Sequence, residues 1–378
     1  MRDIHASSAQ LSTTPICFAP ARIAGYDLAR AIALLGMVFV NYKYQMAADQ
    51  YGVSWLLRLS DWLDGRPAVT FVILAGVGVS LLKTYSLGAR SFSPFAKPYS
   101  TILKRAVFLF FFGLLFSRVW YADILHFYGV YFIAAALLVN ASDRMIFTLS
   151  GAALILSLYL AVHFKFAALP MIDSVWDPKF WTQAGFLEDL FVNGSYPVFP
   201  WIVYFLLGIW LGRKNLSDGR LQKRILLITG LGIIFCEVVA WLVENFLVSE
   251  STLDSLPLLI FFLDTSPFSS SFLSILSASA TALLVIVMSV KLAQKAGPSK
   301  WLKPFLATAQ MSLTLYIVHI GIFELFLLVS GLGQTDNSLE FAWIWAVIFC
   351  LLAVPFSNFW VGHFGKGPFE KILRWVSK

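Results

Sequence analysis

Ten stretches of mostly apolar residues follow one another along the chain: 26–45, 66–83, 102–119, 123–140, 145–163, 197–213, 224–245, 270–291, 304–330 and 341–361. A membrane-crossing helix needs about 20 such residues, because the hydrocarbon layer is roughly 30 Å thick. The stretches are long and lack two-residue alternation, which argues against barrel strands. They predict an all-α fold, a polytopic membrane bundle of about ten transmembrane helices. The first 25 residues are polar or mixed and lack a basic start followed by an apolar core, so they do not read as a signal peptide. With no low-complexity linker and no internal repeat, the layout is an N-terminal segment 1–25, one bundle domain 26–361 and a basic tail 362–378.

Composition supports this layout. Of 378 residues, 59% are apolar and only 13% are charged, about half the roughly 25% of a soluble domain. A formal net charge of +7 would suggest nucleic acid in a soluble protein, but here the basic residues sit in a few loops. Lys83, Arg90, Lys97, Lys104 and Arg105 follow the second stretch. Arg213, Lys214, Arg220, Lys223 and Arg224 follow the sixth. Lys291, Lys295, Lys300 and Lys303 follow the eighth, and Lys366, Lys371, Arg374 and Lys378 occupy the tail. Ten alternating helices put all four groups on one side, so both termini are expected to be cytoplasmic. Nucleic acid is not an expected partner. The long intervening segments 164–196 and 246–269 carry Asp173, Asp177, Glu188, Asp189, Glu250, Asp254 and Asp264. Trp176, Trp181, Pro170, Pro178, Pro257 and Pro267 also lie there, as interfacial anchors or as a cleft lining. Cys17, Cys236 and Cys350 lie too far apart for a disulfide or metal motif.

Ionisable groups at membrane depth are costly and mark functional sites. In YDLARAIALLGMVFVN, Asp27 and Arg30 stand near one end of the first helix, with Asn41 and Lys43 near the other. Eleven residues make three turns plus about 20°, so Arg30 and Asn41 share a face, roughly 16 Å apart. The alternative for Asp27 and Arg30 is a helix-end ion pair. In DWLDGRPAVTFVILAGVGVSLL, Asp61, Asp64 and Arg66 cluster where Gly65 and Pro67 suit a break and a helix start. Asp64 is a candidate general base, and Arg66 a candidate holder of an oxyanion. A solvated helix cap is the alternative.

The fourth stretch opens with Asp123 and His126, in YADILHFYGV, just after Arg118. Histidine suits proton transfer near neutral pH, and a carboxylate three residues earlier is placed to orient it. An interfacial histidine beside a cap is the alternative. In the ninth stretch, Ser312, Tyr316 and His319 recur at helical spacing and are expected on one face, toward the bundle interior. Glu237 and Glu244 stand alone in the seventh. YPVFPWIVYFLLGIWLGR has an irregular entry at Tyr196, Pro197, Pro200 and Trp201. No phosphate loop, HExxH, GxSxG or CxxC occurs, so neither an ATPase, a metalloprotease nor a serine hydrolase is expected, and no metal site.

The Asp-x-x-Arg opening of the first helix, closing on Asn41, resembles a bacterial membrane family similar to the catalytic domain of heparan-α-glucosaminide N-acetyltransferase. GRPAVTFVILAGVGVSLL, DILHFYGVYFIAAALL, YPVFPWIVYFLLGIWLGR, and ATAQMSLTLYIVH with GKGPFEKILR resemble the same family, in its order, from about residue 22 to 375. The resemblance implies a multi-pass acyltransferase of the bacterial inner membrane. It would use acetyl-CoA or another acyl-CoA from the cytoplasm and a glycan or small-molecule acceptor on the far side. It puts Arg30 near the donor. O-antigen-acetylase relatives carry histidine where this chain has Asn41. The heparan-type enzyme has a histidine in its first outer loop, whereas residues 46–64 here contain none. Asp64, Asp61 and His126 are the substitutes.

Together these readings give a catalytic set of Asp64, His126, Arg66, Asn41 and Lys43. The donor-binding set is Asp27, Arg30, Arg105, Ser312, Tyr316 and His319. A small-solute transporter is the main alternative and predicts matching broken helices in two halves, which the sequence does not show. A non-catalytic membrane scaffold is a third reading. The oligomeric state is not legible.

Overall fold

The computed structural model describes residues 24–48, 51–86, 97–165, 180, 182–243, 245, 263–265, 267–269, 271–331 and 338–378. Among them the chain is helical, with no strand. The expectations for Cys17, Arg90, Trp176, Trp181, Pro170, Pro178, Pro257 and Glu244 lie outside the described residues, as do those for Asp173, Asp177, Glu250 and Asp254.

The helices are α1 (Ala24–Gln45), α2 (Ser54–Leu63), α3 (Arg66–Ser86), α4 (Lys97–Phe116), α5 (Leu125–Leu138) and α6 (Asp143–Leu160). They continue as α7 (Gln183–Glu188), α8 (Val198–Leu211), α9 (Gly219–Leu242) and α10 (Phe272–Ala296). The last four are α11 (Leu302–Gln310), α12 (Ser312–Ser330), α13 (Leu339–Phe364) and α14 (Pro368–Val376). Polar side chains start several of them. The hydroxyls of Ser142, Thr182, Ser271 and Ser338 and the Asp218 carboxylate each accept a first-turn amide, which satisfies groups that hydrocarbon could not solvate.

Each of the ten apolar stretches corresponds to a helix. Among the described residues, eight helical stretches are long and apolar enough to cross a membrane. The bent pair Gln183–Asn193 with Val198–Leu211 makes a ninth, and α5 is a shorter apolar helix of 14 residues. This is a polytopic helical bundle, and its surface fits lipid. Leu115, Leu137, Leu328 and Leu351 are 69–80% exposed, an arrangement that water would penalise and hydrocarbon does not. Helix α1 stands at the centre, packed against α3, α10, α11, α12 and α13. Small residues let backbones close. A Cβ on Gly76 would sit 2.2 Å from the Phe205 carbonyl, and one on Gly208 2.1 Å from that of Ile73, so α3 and α8 meet backbone to backbone.

Three elements depart from the sequence reading. The stretch 304–330 is two helices, broken at Met311 (φ −115°, ψ 18°). Helix α2, in the segment between the first two apolar stretches, where no helix is expected from the sequence, is a short amphipathic helix with Trp55, Leu59 and Trp62 exposed. It ends where Gly65 takes φ +70°, a left-handed turn that glycine adopts without steric cost. The segment read as a basic tail, 362–378, contains the end of α13 and all of α14.

Basic side chains collect at one end of the bundle. There Lys83 and Arg213 donate to the Val139 carbonyl, and Arg213 and Lys214 pair with Asp143 at 2.8 Å.

Candidate functional site

A cavity of about 500 Å³ lies among α1, α3, α4, α5, α12 and α14. Its wall carries the basic side chains of Arg30, Arg105, Lys366 and Arg374, apolar ones such as Phe71, Leu74 and Leu109, and Tyr316. Arg30 holds Asp27 at 3.4 Å, one turn behind it. Arg30 lines the cavity whereas Asn41, expected on the same face, does not, and the ion pair offered as the alternative for Asp27 and Arg30 is present.

Tyr316 leads out of the cavity into a buried polar chain. Its hydroxyl donates to Asp123 Oδ1 at 3.3 Å and accepts from the Ile124 amide at 3.4 Å. Asp123 Oδ2 accepts from the amides of Leu125 (2.9 Å) and His126 (3.2 Å), and lies 3.2 Å from His126 Nδ1. A carboxylate can only accept here, so Nδ1 carries a proton. His126 Nε2 is buried without a hydrogen-bond partner, 3.9 Å from Asp189 Oδ2. Asp123 and His126 are 0% and 2% exposed, so the histidine expected at an outer surface is inside the protein.

Two pieces of backbone make this arrangement possible. A Cβ on Gly113 would fall 2.2 Å from the His126 amide nitrogen and 2.8 Å from Asp123 Oδ2, so only glycine lets α4 pass this close. Asp189 arrives on the irregular turn Asp189–Asn193 between α7 and α8, whose axes differ by 49°. Phe199 has non-helical φ/ψ just inside α8. The carboxylate near His126 thus comes from Asp189–Asn193, just before the irregular entry read at Tyr196–Trp201, consistent with non-helical backbone being tolerated where it serves a polar site.

The other sequence candidates are elsewhere. Lys43, 2% exposed, pairs with Asp61 and Asp64, both at 2.8 Å, and the Tyr44 hydroxyl donates to Asp64 at 3.0 Å. Arg66 donates to Glu237 (2.8 Å) and Ser277 (3.1 Å), tying α3 to α9 and α10, and lies over the Trp62 ring at 4.7 Å. Asn41 donates to His319 Nε2 at 2.9 Å, while His319 Nδ1 donates to the Leu315 carbonyl at 3.0 Å. Both ring nitrogens of His319 are thus occupied. The shared face expected for Ser312, Tyr316 and His319 splits: the first two line the cavity, and His319 turns to α1.

The structure thus brings together Arg30, Arg105, Ser312 and Tyr316 around the cavity, with His126 behind Tyr316. Asn41, Lys43, Asp64, Arg66 and His319 do not line that cavity. The sequence reading missed Asp189 as a neighbour of His126 and Glu237 as the partner of Arg66, because each pair joins distant segments. It named Lys366 and Arg374 among the topology charges and not among the site residues. The Gly-Pro start of GKGPFEKILR was the available signal for a helix there.

Two comparisons bear on this arrangement. The family described as heparan-alpha-glucosaminide N-acetyltransferase, catalytic, matches residues 22–247, more than half of the chain. One described as protein of unknown function (DUF418) matches residues 211–378. No curated protein matches. The cavity draws on both segments: Arg30 and Arg105 come from the first, and Ser312, Tyr316, Lys366 and Arg374 from the second.

Proposed function

The chain belongs to the heparan-alpha-glucosaminide N-acetyltransferase catalytic family, and from that premise we propose that it transfers an acyl group, acetyl first among them, from acyl-CoA to a hydroxyl or amine. The acceptor is a glycan or small molecule on the side of the membrane opposite the donor. The basic end faces the cytoplasm of a bacterial inner membrane, following the charge rule for membrane loops. The observation that carries the reading is the continuity from a cavity with a cationic wall, through Tyr316, to Asp123 and His126.

The residues present fit such a donor. The cavity wall carries four basic side chains and one acidic one, and the Arg105 Nε is buried without a hydrogen-bond partner. Arg30 and Arg105 hold phosphate, and the apolar middle accepts the pantetheine arm. Bound there, the donor supplies an activated acyl carbonyl.

His126 takes the acceptor's proton on Nε2 while Asp123 fixes the ring through Nδ1 and stabilises the cation that forms, the division of labour of a histidine–aspartate pair. The acceptor's oxygen or nitrogen bonds to the acyl carbon, the carbon–sulfur bond breaks, and the proton passes from Nε2 to the departing thiolate. Tyr316 links Asp123 to the cavity and donates to it. Lys43, Asp61, Asp64, Arg66 and Glu237 hold the helices around this site. That is a different assignment from the base and oxyanion roles expected of Asp64, Arg66 and Lys43.

The test uses the purified full-length protein in nanodiscs. Saturable acetyl-CoA binding, with thiol release that requires His126, is the expected result. Absence of saturable binding overturns the reading.

A further inference from the structure

One wall of the cavity is formed by α14, a helix from the segment whose matching family has no described function. We propose that α14 is the nucleotide-recognising part of the donor site. Lys366 and Arg374 hold the phosphates of a CoA thioester, and Trp375 stacks on its adenine. This rests on the acyl-CoA reading above and deepens it.

The first argument is charge. Four basic side chains edge the cavity, and Glu370 is the acidic one. Glu370 is already engaged. Its Oε1 accepts from the amides of Leu313 (2.6 Å) and Thr314 (3.1 Å), and its Oε2 from the Thr314 hydroxyl (2.5 Å). The carboxylate thus caps the first turn of α12, where the helix dipole is positive, and little of its charge is left to offset the arginines. Arg105 and Arg374 line the same cavity. Arg30 is paired with Asp27, and the remaining basic side chains of the cavity wall suit a polyanion, because charge-assisted contacts from arginine to phosphate are among the strongest available.

The second argument is shape. Beside the cavity lies a recess of about 380 Å³ walled by Lys366, Lys371, Arg374, Trp375 and Lys378. Lys366 and Arg374 line both spaces, so the recess adjoins the cavity. Cations beside an indole that is 76% exposed suit a phosphorylated nucleoside: phosphates take the cations, and the base takes the ring face. A thioester whose arm lies in the cavity has its nucleotide in this recess.

The third argument is how firmly α14 is placed. Gly365 reverses the chain at φ +76°. A Cβ on Gly367 would meet Glu370 Oε2 at 2.2 Å and Thr314 Oγ1 at 2.5 Å. The Phe369 amide donates to the same threonine hydroxyl at 3.2 Å. The helix is therefore fixed onto the start of α12, four residues from Tyr316, and nucleotide recognition is built onto the element that carries the tyrosine.

The test compares three ligands on full-length protein in phosphatidylcholine nanodiscs: acetyl-CoA, acetyl-dephospho-CoA and S-acetylpantetheine. Lys366→Ala/Arg374→Ala is expected to weaken acetyl-CoA about tenfold per charge removed, dephospho-CoA less, and S-acetylpantetheine by under about twofold. Its thermal midpoint should match wild type, and Arg374→Lys should recover part of the affinity. Trp375→Ala should weaken both nucleotide-bearing ligands and spare S-acetylpantetheine. Equal acetyl-CoA affinity in wild type and double variant overturns the assignment of α14 and leaves the acyltransferase reading standing. A wild type that binds none of the three overturns both. An affinity loss seen only when phosphatidylglycerol replaces phosphatidylcholine shows that the recess takes a lipid headgroup, and overturns the nucleotide assignment.

Discussion

The two ends of the bundle treat charge in opposite ways. At the end away from the basic loops, Lys43 is matched by Asp61 and Asp64, and Arg66 by Glu237, all at 2.8 Å. At the basic end, four cations edge a cavity whose one lining carboxylate is engaged in capping a helix. Buried charges paired within the protein cost folding energy and offset one another. Charges in excess around an open volume create a demand for a partner. Ionisable residues inside a membrane are therefore of two kinds, and only their partners distinguish them. Between the ends lies the Tyr316–Asp123–His126 chain, which joins the cavity to the half of the protein where charges are paired.

The contrast can be broken by substitution. The largest effect is expected at His126. His126→Gln should lower acyl transfer by roughly 10²–10⁴-fold, the usual worth of a general base, with acetyl-CoA affinity nearly unchanged. Loss of binding together with turnover would mean that the histidine is only architectural. Next comes the paired end. Lys43→Met leaves Asp64 buried without its cation and should cost about 3–5 kcal/mol of stability. Lys43→Met/Asp64→Leu should recover most of it, and thermal unfolding in detergent reads the difference. If Lys43→Met folded normally but lost turnover, the pair would belong to the chemistry after all.

A smaller effect is expected at Gly113. Gly113→Ala forces its methyl against the His126 backbone. It should cost about 1–3 kcal/mol and lower turnover beyond what its stability loss explains, because the imidazole is displaced. Tyr316→Phe keeps the ring and removes the hydrogen bond to Asp123. About 1 kcal/mol, seen as a several-fold fall in turnover with donor affinity retained, is the expected result. An unchanged rate would disconnect the cavity from His126. The mildest test is ionic strength. Raising salt from 0.05 to 0.5 M, roughly, should weaken acetyl-CoA binding by screening the basic side chains of the cavity wall and leave the melting temperature, set by the buried pairs, almost unmoved.

The helices were legible because their cause is local. An apolar stretch of membrane length must satisfy its own amides, and all ten stretches appear as helices. Arg30, Arg105, Ser312 and Tyr316 were legible for a related reason: a polar residue in such a stretch has to face inward, and in this bundle inward is a cavity. His319 obeyed the same rule and went to Asn41 instead, because periodicity gives a face and not the neighbour it meets. The break at Met311 had no local signal. It is held by a carboxylate 57 residues away, which accepts the Leu313 amide.

What the sequence determined alone is the class of the protein: a many-helix membrane bundle with basic residues gathered in alternate loops and a few ionisable groups inside. Hydrophobic length and charge placement act through solvent, and solvent is the same wherever the chain folds. Only the tertiary structure decided which of those groups are paired and which surround an empty volume. Lys43 and Arg105 look alike in sequence, a base at one end of an apolar run. One is enclosed by two carboxylates brought from a neighbouring turn, and the other lines a cavity together with other arginines. Coulomb energy falls with distance in space, and separation along the chain does not report it.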